Sequence, residues 1–182
     1  MSGQSIVTVF GSSKPKHGEE EYGTAYDLGA ALARAGFVVC NGGFGGSMEA
    51  SARGAKEAGG KTIGVTFTAL GQRRANAWID QVVQEETLIN RTMKLVELGD
   101  AYIILKGGTG TLLELAVVWE FINKGLMHEK PIVVLGSFWQ GVVNTLNDEL
   151  AWEGLEKCTR YVRSARTAGE VVRLLHGKLA GH

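Results

Sequence analysis

The chain has 182 residues, 45% apolar and 21% charged, which fits one domain (residues 1–182) with its own core. Nineteen Lys and Arg balance 19 Asp and Glu, so the whole-molecule field that favours nucleic acid or an anionic membrane is missing, and neither is an expected partner. Two distant cysteines, Cys40 and Cys158, exclude a disulfide framework and a cysteine zinc finger, no apolar run approaches a ~20-residue membrane span, and no leader pattern opens the chain, so a cytoplasmic location is expected.

Short β-rich runs alternate with longer helical stretches. Ser5–Phe10 reads as a strand closed by Gly11-Ser12-Ser13, and Glu20–Ala35 as a helix stopped by Gly36. Phe37–Cys40 is a second strand, Gly42–Gly46 a glycine run, and Ser47–Ala58 a helix. Thr62–Val65 is a third strand, and Phe67–Asp80 an irregular loop long enough to suggest function. Gln81–Gln84 is a short strand and Thr87–Glu97 a helix. Ala101–Leu105 is almost wholly apolar and therefore a central strand, followed by a second glycine loop, Gly107–Thr111, and the helix Leu112–Lys124. Ile132–Leu135 is another central strand, Phe138–Leu150 a helix, Tyr161–Arg163 a weak strand, and a last helix starts at Ala168. This repetition of strand and helix predicts a doubly wound, Rossmann-like α/β fold: a mostly parallel sheet of six or seven strands with helices on both faces.

Glycine occurs 26 times, about twice average usage, while proline occurs only twice. In an open parallel sheet, ligands bind beyond the carboxyl ends of the strands. Both glycine loops lie there, NGGFGGSM (Gly43, Gly45, Gly46 and Met48 among its residues) and KGGTGTLLE (Gly107, Gly108, Thr109, Gly110, Thr111), and each opens a helix. Helix N-termini carry unpaired N–H groups and partial positive charge, so a phosphate-bearing small molecule is the expected ligand. Ser12, Ser13 and Lys14 either line the same cleft or form a plain turn. Neither loop is the dinucleotide fingerprint. Gly54–Gly60 followed by Lys61-Thr62 fails as a P-loop, with five residues between the glycines instead of four and helix preceding strand. Thr111-Leu112-Leu113-Glu114 fits a capping box, so Glu114 either caps its helix or turns its carboxylate toward the ligand. His17, His128, His176 and His182 have no metal-ligand spacing, and neither metal nor cofactor is expected.

FGSS after the first strand, GGFGGSMEA after the second, LKGGTGTLLEL after the fifth and HEKPIVVL at the sixth together resemble the LOG family, often labelled lysine decarboxylases, and the related molybdenum-cofactor carrier proteins. The resemblance runs from about Ile6 to about Val143. The family's signature P-G-G-x-G-T-x-x-E reads here as Lys106 to Glu114. Lys106 stands in place of the proline, Leu113 in place of the first glutamate, and Met48-Glu49-Ala50 in place of the Met-Gly of plant-type enzymes. The resemblance implies a phosphoribohydrolase that splits a nucleoside 5′-monophosphate into free base and ribose 5-phosphate. It implies Glu114 and Arg91 as the catalytic pair and a homodimer or higher homo-oligomer. The alternative it implies is a non-enzymatic carrier of molybdenum cofactor or a nucleotide, which the Lys106 and Met48-Glu49-Ala50 departures favour. No Schiff-base lysine stands out, so decarboxylation is not expected.

Overall fold

The computed structural model describes residues 4–68 and 74–179. Its seven strands are β1 (Ile6–Phe10), β2 (Val38–Asn41), β3 (Thr62–Phe67), β4 (Gln81–Glu85), β5 (Ala101–Ile104), β6 (Ile132–Leu135) and β7 (Val162–Ala165). The helices are α1 (Glu20–Arg34), α2 (Ser47–Glu57), α3 (Leu88–Leu98), α4 (Thr109–Asn123), α5 (Gln140–Trp152) and α6 (Ala168–Leu179). The strands form one sheet in the order β4-β3-β2-β1-β5-β6-β7, and every pairing is parallel. The doubly wound fold read from the sequence is the fold observed. Among the described residues, no helix is long and apolar enough to cross a membrane.

The two-residue period of the strands builds two cores. Val7 and Val9 of β1, Ala101 and Ile103 of β5, and Val133 and Leu135 of β6 face α1, α2 and α6. Phe10, Tyr102, Ile104, Ile132 and Val134 face α3, α4 and α5. The chain winds outward from β1 to β4, then returns to place β5 on β1's other side. The switch point therefore falls between β1 and β5, and helices leave their carboxyl ends toward opposite faces.

Several element boundaries differ from the sequence reading. β3 runs two residues further, to Phe67, because it pairs with β4 from Ile63 through Phe67. The loop expected over 67–80 lies partly outside the described residues. Its far end, Asn76 to Asp80, is tied to β3 and the first glycine loop by Asn76, Trp78 and Asp80. The more consequential correction concerns the second glycine loop. α4 begins at Thr109, with Gly108 as its N-cap and no side chain capping it. Thr109, Gly110 and Thr111 are its first turn, not loop, and the first helical hydrogen bond runs from Leu112 N to Gly108 O.

Candidate functional site

Three loops converge at the carboxyl end of the sheet. The Ser12 carbonyl accepts from Ser47 N at 2.8 Å, and Ser12 N donates to the Lys106 carbonyl at 3.3 Å, so the turn after β1 touches both glycine segments. Gly46 makes the first contact feasible. Its φ is +69°, and a Cβ there would lie 2.4 Å from Ser12 O. Ser13 and Lys14 are exposed beyond this junction, and Lys14 N donates to Ser12 Oγ. Asn41, fully buried at the end of β2, shapes the first loop. It donates to the Met48 carbonyl and accepts from Gly43 N. Asn76 clamps the loop from the other side through the Gly43 and Phe44 carbonyls. Gly45 stays open, with space where a Cβ would stand.

In the second segment, Gly108, Thr109 and Gly110 are exposed, while Thr111 is buried beneath Gly107. The amides of Thr109, Gly110 and Thr111 belong to the turn of α4 that has no intrahelical acceptors, so they remain available to an anion. Shortening the loop thus leaves its chemistry in place and moves it onto a rigid helix.

The beginnings of α3 and α4 bring Arg91 and Glu114 together. Thr87 caps α3 by accepting from Asn90 N, which sets Arg91 in the first turn, facing inward. Arg91 is 7% exposed. Its Nε donates to the Val65 carbonyl at 2.8 Å, and its Nη2 lies 3.6 Å from Met48 Sδ. The guanidinium carbon sits 5.7 Å and 5.6 Å from the ring centres of Phe44 and Phe67. Arg91 Nη1 approaches Glu114 Oε1 at 3.7 Å. Glu114 lies in the second turn of α4 and makes no capping bond, so the capping-box reading is corrected: Gly108 holds the cap position, and the carboxylate turns to Arg91.

The separation of 3.7 Å is longer than a charge-assisted hydrogen bond of about 2.7–2.9 Å. Attraction without that bond does not offset desolvation. Burial raises the Glu114 carboxyl from 4.5 to about 7, against the opposing pull of Arg91, and burial lowers the Arg91 pKa. The site therefore holds a carboxyl that titrates near neutrality beside a cation fixed by a backbone carbonyl and two aromatic rings. Cys40, fully buried on β2 near this cation, is pushed up to about 12 by burial and stays a thiol.

Arg91, Glu114, Met48 and both glycine segments are thus neighbours, and Ser12 joins them through backbone contacts. Sequence reasoning missed Gly42, Phe44, Phe67, Asn41 and Asn76. A Cβ on Gly42 would lie 1.6 Å from Arg91 Nη2, so this glycine makes room for the guanidinium. The signal for Asn41 was a polar residue between an apolar strand and a glycine run. Phe67 and Asn76 fall in the 67–80 stretch whose length suggested function, with no spacing that singles out either residue. Lys106 is exposed on the other flank of the second segment. Its ammonium pairs with Glu21 of α1 beside a cavity of about 340 Å³ that includes Thr24, Leu135 and Phe138.

The profile of the SLOG cluster4 family matches residues 4–165. The cytokinin riboside 5′-monophosphate phosphoribohydrolase of Mycobacterium tuberculosis is 35% identical over 137 residues, 74% of this chain and 72% of that one. That of Mycobacterium marinum is 38% identical over 135 residues, 73% and 71% of the two chains. Among solved structures, the molybdenum cofactor carrier protein of Chlamydomonas reinhardtii superposes with a TM-score of 0.78 at 23% identity, over 99% of this chain and 100% of that one. A molybdenum cofactor binding protein from Rippkaea orientalis gives 0.76 at 24%, over 98% and 99%. At these identities the structural matches establish the shared fold. The family profile and the relatives above 30% identity establish descent: the chain belongs to the LOG-type SLOG cluster4 family.

Proposed function

We propose that the protein is a phosphoribohydrolase that cleaves the N-glycosidic bond of a nucleoside 5′-monophosphate. Water adds its oxygen to C1′, the base leaves with a proton on its ring nitrogen, and the second product is ribose 5-phosphate. The observation that carries this reading is the Arg91–Glu114 pair beside the free amides of α4. Those amides suit a 5′-phosphate. As the bond breaks, positive charge builds on the ribose, and a carboxylate held in a water-poor site stabilises it far better than it would in bulk water. Arg91 orients Glu114 and offers its remaining N–H groups to ribose hydroxyls or phosphate. The names of the relatives support the same chemistry. The reaction needs water and no redox partner.

The second reading, a non-enzymatic carrier of a phosphorylated ligand, draws on Lys106. This residue replaces the family proline and ties the second glycine segment to Glu21. Both readings use the same amides; only the enzyme needs the charge on Glu114.

The active form is a homodimer. Leu88, Ile89 and Met93 of α3 and Leu112 and Leu113 of α4 are exposed apolar side chains on the two helices that supply Arg91 and Glu114. A second copy seated there removes that surface from water and encloses the pair. The buried thiols Cys40 and Cys158 suit a reducing cytoplasm. A crystal structure of the AMP complex tests the ligand assignment. The phosphate is expected within hydrogen-bond distance of the Thr109–Thr111 amides. A phosphate bound elsewhere contradicts it.

A further inference from the structure

At the opposite end of the sheet, where β5, β6 and β7 begin, the second half of α6 helps wall a cavity of about 1040 Å³. Five cationic side chains line it, Lys130, Arg160, Arg163, Arg173 and Lys178, against two carboxylates, Asp100 and Glu129. This excess stands out in a chain whose formal net charge is zero.

The carboxylates are already engaged. Glu129 takes both Arg160, at 2.9 Å, and Lys178, at 3.4 Å. Asp100 accepts from Ile6 N at 2.8 Å. Asp100 also faces Lys130, which leaves Arg163 and Arg173 in excess. Lys130 is 8% exposed, and its ammonium donates to the Gly99 carbonyl at 2.6 Å. It also lies 5.8 Å from the Tyr102 ring centre, and the Asp100 carboxylate acts on it as a neighbouring charge. Lys130 is therefore satisfied within the chain, and the free positive charge of the cavity sits on the arginines. Arg163 donates Nε to the Arg160 carbonyl, and Arg173 reaches Glu170 only at 4.0 Å, so both keep N–H groups to offer.

We propose that this cavity is a second anion site, for a small polyphosphorylated molecule held by Arg163 and Arg173. The volume is of the size that holds a whole organic ligand and exceeds what one orthophosphate fills. Concave walls carrying one sign of charge focus the field that draws such a ligand in. The site lies across the sheet from Arg91 and Glu114, so it stands apart from the proposed hydrolysis.

Titration calorimetry with inorganic tripolyphosphate tests it on the full chain in three forms: unaltered, Arg163→Gln/Arg173→Gln and Gly110→Asp. The last places a carboxylate among the α4 amides and blocks an anion there. One tripolyphosphate is expected to bind the unaltered chain and Gly110→Asp alike, with affinity about tenfold or more lower in the arginine variant at unchanged melting temperature. The single Arg163→Gln variant is expected to fall between. No binding to the unaltered chain, or binding lost in Gly110→Asp and retained in the arginine variant, overturns the proposal. Equal loss in both also overturns it, because the anion is then answering overall charge.

Discussion

Glu114 carries two separable expectations. In Glu114→Gln the side chain keeps its size and loses its charge. Turnover is expected to fall by about 10²–10³, the loss typical of removing one electrostatic contact to the transition state, while AMP binding by calorimetry stays within a few-fold. The second concerns pH. With a folded-state pKa near 7 against an ordinary 4.5, the folded chain holds a proton that the unfolded chain releases across that interval. The stability tied to this group is complete below about pH 4.5 and is lost as pH rises through about 7. Glu114→Gln is therefore expected to gain on the unaltered protein between pH 5 and pH 8, by up to roughly 3 kcal/mol, in denaturant melts at the two pH values. In the same interval kcat/KM is expected to rise with an apparent pKa near 7, because the ionised carboxylate is the working form. At Arg91, lysine keeps the charge but loses the fork that serves Val65 O and Glu114 together. Arg91→Lys and Arg91→Ala are both expected to cut turnover well below that of the unaltered protein. Normal activity in Arg91→Ala would remove it from the site.

At the scale of elements, the glycine segments are expected to divide into two kinds. Gly46→Ala meets a left-handed φ and the Ser12 carbonyl together, so it should cost roughly 2–4 kcal/mol of stability, read by chemical denaturation. Gly42→Ala meets the ends of two side chains, Arg91 and Met48. It should cost less stability than Gly46→Ala, about 1–2 kcal/mol, and cut turnover about 10–100-fold by displacing the guanidinium. The two segments were legible as strand–helix turns because glycine clusters follow apolar strands there, and the strands themselves because β-branched runs such as IVVL have few other readings. The start of α4 was not. Thr111-x-x-Glu114 fits a capping box, but Gly108 takes the cap position, three residues upstream of Thr111, and α4 starts without a side-chain cap. Phe67 and Asn76 reach the site through β3 packing and a tertiary clamp that no local spacing encodes.

For the whole molecule, the pattern of exposure separates the two sheet faces. The α1, α2 and α6 side buries its apolar residues within the chain, while α3 and α4, the helices that carry Arg91 and Glu114, leave Leu88, Ile89, Met93, Leu112 and Leu113 exposed, as α5 leaves Val142, Leu146 and Trp152. Light scattering is expected to give a dimer, and Ile89→Glu/Leu113→Glu a folded monomer of much reduced turnover. An unaltered monomer, or a fully active monomeric variant, contradicts that assembly. The most direct test of the central claim is product analysis by chromatography after incubating the protein with a panel of nucleoside 5′-monophosphates, beside Glu114→Gln. Free base and ribose 5-phosphate are predicted to appear in equal amounts with the unaltered protein and to be nearly absent with the variant. Tight nucleotide binding with no base released from any member of the panel would contradict hydrolysis and leave the carrier reading.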